Sequence, residues 1–304
     1  MTTVLCGVTQ VVDPVRRAFP EMDVIDLASF AGPIPRDAVL FSGYDQKSLD
    51  AATSGVAWIQ LPGTGIDGVN PILLDAPLVT CAKGAGAIPI GEYVLAAMLA
   101  SARNFPEFWI KDAPEMWNFQ ATVGLVHQRL GLVGFGGIGQ RVAVLAQAFG
   151  MSVSALRRSA APSEVPGVRI VDELPALLPE LDHLVLCVPS TPLTKGLIND
   201  ETLSLVKPGV HLVNVARGTL IDQDALRRAL DDGRVARASL DVCVPEPLPS
   251  GHWLYSHPKV FLTPHASWTG VPFLSGAIDL FVANLGRYQR GETLVGVIDV
   301  EEGY

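Results

Sequence analysis

The sequence predicts an α/β protein with two parallel-sheet domains, and three observations support this fold class. The chain has 304 residues, about twice the length of a common domain. Short apolar runs, typical of buried parallel strands, alternate with helical stretches along most of the chain. An irregular stretch with two tryptophans, residues 105–120, separates a first series of such runs from a second.

The first series predicts five buried strands and then a long helix. The apolar runs that define the strands are Thr3–Val8, Asp23–Ile25, Val39–Phe41, Trp58–Leu61 and Leu78–Thr80. Turns rich in Pro and Gly separate these runs, as expected between the elements of a parallel sheet. The helix is predicted from about Ile90 to Arg103, where apolar residues dominate.

The second series is more regular and predicts the second sheet. Its strands are expected at Leu130–Val133, Val153–Leu156, His183–Val188, Val210–Val215, Ala238–Val242 and Val260–Leu262. A helix from Pro272 to about Tyr288 and a last strand, Val295–Val300, follow. The last strand has no obvious place in the complete second sheet. We therefore expect residues 1–90 and 273–304 to form one discontinuous domain and residues 91–272 the other.

Composition and charge exclude several classes of protein. Hydrophobic residues make up 49% of the chain and charged residues 17%, which suits well-buried cores. The net charge of −9 argues against nucleic-acid binding. The most apolar window, Ile88–Ala100, is too short to cross a membrane. Without a signal-peptide pattern at residues 1–14, we expect a cytoplasmic protein. The four cysteines form no CxxC pair, so we expect no metal site.

A glycine-rich turn predicts a dinucleotide site. Residues 134–139 read GFGGIG and match G-x-G-x-x-G between a predicted strand and a predicted helix. Gly134 permits a tight turn, Gly136 admits a pyrophosphate, and Gly139 allows close helix–strand packing. Gly137 and Ile138 complete the expected phosphate-binding turn at the helix start. The alternative is an ordinary glycine-rich turn, which the strand–turn–helix context disfavours.

The next strand ends in residues that favour NADP over NAD, although NAD remains possible. An acidic residue about 20 positions after the glycines holds the ribose in NAD-binding proteins. Here Arg157, Arg158 and Ser159 occupy that region, and guanidinium groups bind a 2′-phosphate well. We expect no nearby carboxylate to hold the ribose of NADH. The alternative is a solvated basic turn.

Three later strands each lead into a residue suited to catalysis. Arg217, Glu246 and His265 follow consecutive predicted strands, so they are expected at the same edge of the sheet. An arginine can hold a carboxylate through two hydrogen bonds, and a histidine oriented by a carboxylate suits proton donation. Each residue alone has a structural explanation, as a surface charge, a turn residue or a core histidine. Together they are the groups that reduction of a 2-oxo acid requires.

Five ordered motifs resemble the D-isomer-specific 2-hydroxyacid dehydrogenases, a family that includes glyoxylate/hydroxypyruvate reductases. The motifs are LGLVGFGGIGQRV, LCVPSTPLTKGLIND, LVNVARGTLIDQDALRRAL, ASLDVCVPEPLP and VFLTPHASW. The resemblance implies that Arg217 binds substrate, that His265 is the acid/base and that Glu246 is its partner. It implies that Thr64 and Gly65 bind the substrate carboxylate. It also implies a cofactor site that includes Val188, Pro189, Val215, Ala216 and Asp241. The chain departs from the family pattern at Cys243, Val244 and Gly196.

The resemblance also implies an architecture and an activity. Two Rossmann-like domains are expected: a discontinuous, flavodoxin-like substrate domain and a doubly wound nucleotide domain, which forms a homodimer. The expected activity is hydride transfer from NAD(P)H to a small 2-oxo acid, with glyoxylate or hydroxypyruvate as substrate. Two alternatives stay open. One is a dinucleotide-sensing, corepressor-like binding protein; the other is a formate- or phosphite-type dehydrogenase of the same fold.

Overall fold

A computed structural model describes residues 2–105, 107–117, 122–158 and 163–299, so the predicted site residue Ser159 and the last residue of the predicted strand, Val300, lie outside it. The chain divides into two compact units, Met1–Gly86 with Gly270–Tyr304, and Ala87–Thr269. That the segments 1–90 with 273–304 and 91–272 are folding domains stays a prediction. Within the described ranges, no helix is long and apolar enough to cross a membrane.

The first unit contains a five-stranded parallel sheet. Its strands are β1 (Thr3–Cys6), β2 (Asp23–Asp26), β3 (Val39–Phe41), β4 (Trp58–Gln60) and β5 (Val79–Thr80). They lie in the order β2-β1-β3-β4-β5, and every neighbouring pair is parallel. This is the flavodoxin-like order, so the predicted fold of this sheet is confirmed.

The second unit contains a seven-stranded parallel sheet. Its strands are β6 (Arg129–Val133), β7 (Ser152–Leu156), β8 (Arg169–Val171), β9 (His183–Leu186), β10 (Val210–Asn214), β11 (Val235–Leu240) and β12 (Val260–Leu262). The order β12-β11-β10-β9-β6-β7-β8 is that of a doubly wound nucleotide-binding fold, extended by one strand. The sequence did not predict β8, because this three-residue edge strand is only partly buried and lacks a distinct apolar run.

Helices connect and cover the two sheets. The α-helices are α1 (Val12–Ala18), α2 (Gln46–Thr53), α3 (Ala87–Ala102), α4 (Gly137–Ala148), α5 (Leu174–Leu177), α6 (Asp200–Leu203), α7 (Gln223–Asp231) and α8 (Val271–Gln289). Short 3₁₀ helices lie at Thr9–Val11, Pro71–Leu74, Leu178–Glu180, Gly218–Leu220 and Trp253–Tyr255. The predicted helices at 90–103 and 272–288 are thus present as α3 and α8.

Each sheet is buried on both faces, which explains why its strands read as continuous apolar runs. In the second unit, Val94 of α3 and Val142 of α4 belong to a core on one face, and Leu226 of α7 belongs to the core on the other. In the first unit, Phe281 of α8 packs against Phe41 and Trp58, with ring centroids 5.1 and 5.4 Å away. Burial of one such side chain contributes about 1.5–3 kcal/mol.

The predicted last strand, Val295–Val300, is not a strand within the described residues. A single antiparallel bridge joins Val297 to Thr80, next to hydrogen bonds from Cys81 N to Gly296 O and from Ile298 N to Val79 O. Gly296 has a φ of +78°, a left-handed conformation that interrupts an extended ladder. The segment nevertheless pairs with the sheet of the first unit and not with that of the second.

A buried polar chain crosses the second sheet. Nε2 of His183 lies 2.6 Å from Gln128 Oε1, its Nδ1 lies 3.0 Å from His211 Nδ1, and His211 Nε2 lies 2.9 Å from Ser239 Oγ. Since an amide oxygen only accepts, His183 donates through Nε2 and accepts from His211. Burial lowers the pKa of His183 to about 4 and that of His211 well below 6.5. Both imidazoles are therefore neutral at pH 7.

The buried hydrogen-bond network of His183 and His211 should make the fold sensitive to acid. Because both pKa values are depressed in the folded state, the unfolded chain binds more protons below its ordinary histidine pKa of about 6.5. The contribution of the two neutral histidines to the free energy of unfolding is therefore fully present above that pH and is lost as the pH falls toward 4. Each histidine contributes a slope of up to about 1.4 kcal/mol per pH unit. We expect urea unfolding to give a free energy roughly 2–4 kcal/mol lower at about pH 5 than at about pH 7.5.

The exposed His127 provides a control for this prediction. Its φ of +65° is tolerated by asparagine, so His127→Asn should leave the pH dependence unchanged. His211→Asn, by contrast, should reduce it. Equal stability of the wild type at both pH values would contradict the prediction, as would an equal fall in the two variants.

Candidate active site

Three neighbouring strands deliver three polar side chains to one edge of the second sheet. Arg217 follows β10, Glu246 follows β11 and His265 follows β12. The three strands are adjacent and parallel, so their carboxyl ends meet at the same edge. The glycine-rich turn after β6 lies at this edge too, beside the point where the strand order reverses between β6 and β9. Ligands of open parallel sheets bind at such a position.

Glu246 and His265 form a hydrogen-bonded pair. Nδ1 of His265 lies 2.8 Å from Glu246 Oε2, and the other carboxylate oxygen accepts a hydrogen bond of 3.0 Å from Cys243 N. A carboxylate only accepts, so Nδ1 of His265 carries the proton in this pair. About 40% of the His265 side chain is exposed. This tautomer leaves Nε2 as the ring nitrogen that exchanges a proton with a bound ligand.

The loop that bears His265 is held in a strained conformation. His265 has a φ of +52°, which is costly for a residue other than glycine. Its N–H donates to the backbone oxygen of Asp241 (2.8 Å), and its own backbone oxygen accepts from Trp268 Nε1 (2.9 Å). Because these hydrogen bonds hold the backbone of residue 265, they also fix the position from which the imidazole projects. We therefore regard the loop as preorganised around His265.

Asp241, which the resemblance places near the nicotinamide, lies at the end of β11 and is 1% exposed. Oδ1 of its carboxylate accepts from Thr263 Oγ1 (2.6 Å) and Ala266 N (2.8 Å), and Oδ2 accepts from Ser267 N (2.9 Å). Both carboxylate oxygens thus accept hydrogen bonds from the loop that follows β12. This use of Asp241 was not predicted, because it depends on pairing between β11 and β12.

The buried Asn214 shapes the loop of Arg217. Its Nδ2 donates to Arg217 O (2.8 Å), and its Oδ1 accepts from Ala216 N (3.0 Å). The next residue, Gly218, packs so tightly that an added Cβ would lie 2.2 Å from the backbone of Cys243. The loops of Arg217 and Glu246 are therefore in direct contact. The sequence did not predict this role of Asn214, although its place at the end of a buried strand was a usable signal.

A second residue missed by the sequence analysis, Gln223, holds the loop of Glu246. Its side-chain amide donates to Val244 O (2.8 Å) and accepts from Val244 N (3.1 Å).

Beyond the loop of Glu246 lies a cavity of about 690 Å³. Its lining includes Cys243, Glu246, Leu248, Leu254, Tyr255 and His265. The pair of catalytic candidates thus borders a space large enough for a small organic ligand.

The glycine-rich turn has the geometry that a dinucleotide needs. Gly134 has a φ of +102°, and a Cβ there would lie 2.7 Å from Cys187 O. A Cβ on Gly139 would lie 2.4 Å from Gly134 O, whereas one on Gly136 would meet no atom within 4 Å. Helix α4 starts with Gly136 as its N-cap, so Gly137 and the residues after it present free N–H groups. The open space at Gly136 fits a pyrophosphate.

At the end of β7 the structure contains an ion pair that the sequence did not predict. Two hydrogen bonds, of 2.9 and 3.0 Å, join Arg157 to the carboxylate of Glu164, seven residues later. Glu164 is thus a carboxylate close to this position, but it is bound to Arg157, and the expectation that no nearby carboxylate holds the ribose of NADH stays a prediction. The backbone N–H of Glu164 and the guanidinium of Arg157 lower the pKa of the Glu164 carboxyl. Arg157 also lies 5.9 Å from the centre of the Phe135 ring in the glycine turn, and Arg158 is exposed.

The other predicted site residues fall at two places. Val188, Pro189, Val215 and Ala216 follow β9 and β10, at the same edge as the glycine turn. Thr64 and Gly65 follow β4 in the first unit. There, a Cβ added to the neighbouring Gly63 would lie 2.9 Å from the hydroxyl of Tyr44, so this exposed tyrosine borders the loop. The sequence did not predict that Tyr44 lies beside this loop. Among the described residues, no cluster of His, Cys, Asp and Glu could hold a metal ion.

Comparisons with known proteins identify the class of this protein. Residues 95–267 match the model of the D-isomer specific 2-hydroxyacid dehydrogenase family, NAD binding domain. The chain belongs to this family and is a nicotinamide-dependent oxidoreductase. The resemblance inferred from the motifs, the fold and the enzyme class are thus confirmed.

Two curated relatives and two solved structures illustrate the similarity. The glyoxylate/hydroxypyruvate reductases A of Serratia proteamaculans and Yersinia enterocolitica are 33% and 32% identical; the alignments cover 80% and 89% of this chain and 80% and 85% of theirs. A D-isomer specific 2-hydroxyacid dehydrogenase from Xanthobacter autotrophicus, in complex with NADPH and MES, has a TM-score of 0.83 at 26% identity, over 100% of this chain and 99% of its own. An NADPH-dependent glyoxylate/hydroxypyruvate reductase from Sinorhizobium meliloti has a TM-score of 0.82 at 24% identity over the full length of both chains, a likeness of fold.

Proposed function

We propose that this protein reduces a small 2-oxo acid, glyoxylate or hydroxypyruvate, with hydride from NADPH. The observation that carries the proposal is the Glu246–His265 pair at 2.8 Å, beside the loop of Arg217 at the carboxyl edge of a dinucleotide-binding sheet. The names of the curated relatives support the same substrates.

In the proposed reaction each residue has one task. The bound cofactor supplies the hydride. The guanidinium of Arg217 holds the substrate carboxylate through two charge-assisted hydrogen bonds. Protonated His265 gives the Nε2 proton to the carbonyl oxygen, and Glu246 keeps the ring oriented and stabilises its charge. The backbone N–H groups of Thr64 and Gly65 are proposed to hold the carboxylate as well.

A panel of substrates separates this proposal from its alternatives. Nicotinamide absorbance should report turnover with glyoxylate and hydroxypyruvate and none with formate or phosphite. A formate- or phosphite-type dehydrogenase gives the opposite pattern. A dinucleotide-sensing binding protein binds NADPH without turnover of any substrate.

We further propose that NADPH is preferred over NADH. Arg157 and Arg158 follow β7, where the adenosine ribose is expected. Ser159, which lies outside the described residues, completes the predicted set. Glu164 now competes for Arg157. A 2′-phosphate is a stronger acceptor than a carboxylate, because it carries more charge and an additional oxygen. The preference is therefore smaller than two unopposed arginines would give, but still about tenfold, which needs only about 1.4 kcal/mol.

The test is the ratio of kcat/KM for NADPH to that for NADH. We expect a wild-type ratio of at least about ten and an inverted ratio in Arg157→Asp, because a carboxylate repels the phosphate and accepts from a ribose hydroxyl. Arg129→Asp is the matched control: this exposed arginine lies at the opposite end of β6. Equal use of both cofactors by the wild type would contradict the proposal.

Two further properties belong to the proposal. A homodimer through the Ala87–Thr269 unit would cover the large apolar side chains that are 39–67% exposed in its segment 105–117: Phe105, Trp109, Ile110, Met116 and Trp117. Sedimentation should then give about twice the chain mass of 32.3 kDa. A cytoplasmic location is also proposed, because the activity draws on the reduced nicotinamide pool.

A further inference from the structure

We propose that Tyr93 is a positioning residue for His265 and that it acts through Thr263 and Asp241. Tyr93 lies on α3, whereas His265 follows β12, and 170 residues separate Tyr93 from Thr263. The inference rests on the proposed role of His265 as proton donor. It assigns the phenol of α3 a task in holding the loop that carries that histidine.

The hub of this arrangement is Asp241. Three consecutive backbone N–H groups, those of His265, Ala266 and Ser267, donate to Asp241: the first to its backbone oxygen and the other two to its carboxylate. Because His265 has a φ of +52°, its conformation is unfavourable unless the surroundings hold it. The Asp241 carboxylate must therefore keep a single orientation for the loop to keep its shape.

Thr263 and Tyr93 fix that orientation from behind the loop. Thr263 Oγ1 lies 2.6 Å from Asp241 Oδ1 and 2.7 Å from the Tyr93 hydroxyl. A threonine hydroxyl has one proton, and the carboxylate can only accept, so Thr263 donates to Asp241. The Tyr93 hydroxyl must then donate to Thr263. The two hydrogen bonds thus run in one direction: the Tyr93 phenol donates to the Thr263 hydroxyl, which donates to the Asp241 carboxylate.

Tyr93 is suited to remain the donor. Burial raises the pKa of Tyr93, the charge of Asp241 adds to this rise, and the hydrogen bond with Thr263 opposes it. The phenol therefore stays protonated at any pH at which the enzyme works. Without the phenol, the Thr263 hydroxyl is no longer confined to one rotamer and one acceptor. The carboxylate then loses a constant donor, and residues 265–267 gain freedom.

Kinetics of matched variants test the inference. Tyr93→Phe and Thr263→Val remove only the hydroxyls and should lower kcat about tenfold to a hundredfold, since misplacement by about 1 Å has effects of that size. KM for glyoxylate and Kd for NADPH should stay within about twofold, because neither residue is proposed to bind them. Thr263→Ser retains the hydroxyl and should restore kcat to within about threefold of the wild type. Tyr288→Phe, which removes a phenol hydroxyl on α8 of the first unit, where the ring packs against Trp58, is the control without effect.

Amide hydrogen exchange provides a readout that does not depend on activity. In Tyr93→Phe the amides of residues 265–267 should exchange faster than in the wild type, whereas Tyr288→Phe should leave them unchanged. Unchanged exchange in Tyr93→Phe overturns the inference, and so does faster exchange with a wild-type kcat. A Thr263→Ser variant as impaired as Thr263→Val also overturns it. If the wild type reduces no 2-oxo acid, the proposed function fails instead, and exchange alone decides whether Tyr93 holds the loop.

Discussion

Replacing His265 with alanine should lower kcat for glyoxylate by roughly 10²–10⁴, the usual contribution of a positioned general acid. The variant retains Arg217 and the dinucleotide turn, so binding of NADPH should stay close to that of the wild type. Without the imidazole, water must protonate the carbonyl oxygen as hydride arrives. Steady-state kinetics, with the Kd of NADPH from fluorescence, measures both effects.

A second histidine–carboxylate pair in the same unit provides the control. Nε2 of His257 lies 3.3 Å from Asp231 Oδ1, but this pair precedes β12 and lies away from the carboxyl edge. His257→Ala should therefore leave kcat within about twofold of the wild type. A folded His265→Ala protein with normal turnover would remove His265 from the mechanism. An equal loss in both variants would indicate damage to the fold.

Replacing Arg217 with alanine should lower kcat/KM for the 2-oxo acid by roughly 10²–10⁴. Two charge-assisted hydrogen bonds contribute about 1.5–3 kcal/mol each, and every 1.4 kcal/mol corresponds to a factor of ten. Part of the loss should appear in KM, because the carboxylate is bound before the transition state. The backbone of residue 217 should keep its place, since Asn214 holds it through the carbonyl oxygen.

Arg217→Lys separates charge from geometry. Lysine keeps the positive charge but cannot make two parallel hydrogen bonds, so its kcat/KM should fall between those of the wild type and of Arg217→Ala. Arg228→Ala, which removes an exposed arginine paired with Asp200, is the control without effect. A wild-type kcat/KM in Arg217→Ala would show that another group holds the carboxylate.

The features predictable from the sequence are those that local patterns determine. Continuous apolar runs mark strands buried on two faces, and the residues that follow them are placed by the parallel arrangement alone. Arg217, Glu246 and His265 could therefore be assigned to one sheet edge without coordinates. The same reasoning identified the strand, turn and helix around Gly134 as the nucleotide-binding unit.

The features that the sequence did not predict depend on tertiary contacts. Glu164 meets Arg157 although seven positions separate them in the sequence, and the sequence between them has no periodicity that would predict this contact. Asn214, Gln223 and Tyr93 act on backbone or side chains of other elements, so their roles appear only when the strands are side by side. The expected last strand is interrupted for a local reason, the left-handed conformation of Gly296. The effect of this glycine on strand pairing can be predicted only when the neighbouring strand is known.

The most direct test of the central claim is the stoichiometry and chirality of the product. Wild-type protein should convert hydroxypyruvate and NADPH into D-glycerate and NADP, with one molecule of D-glycerate formed for each NADPH consumed. Chiral chromatography of the quenched reaction, together with nicotinamide absorbance, measures both quantities. Matched amounts of NADP and glycerate are the result that the proposed reaction predicts, and the D configuration is the result that the family predicts. Formation of L-glycerate, or NADPH that stays reduced with hydroxypyruvate and with glyoxylate, would contradict the account.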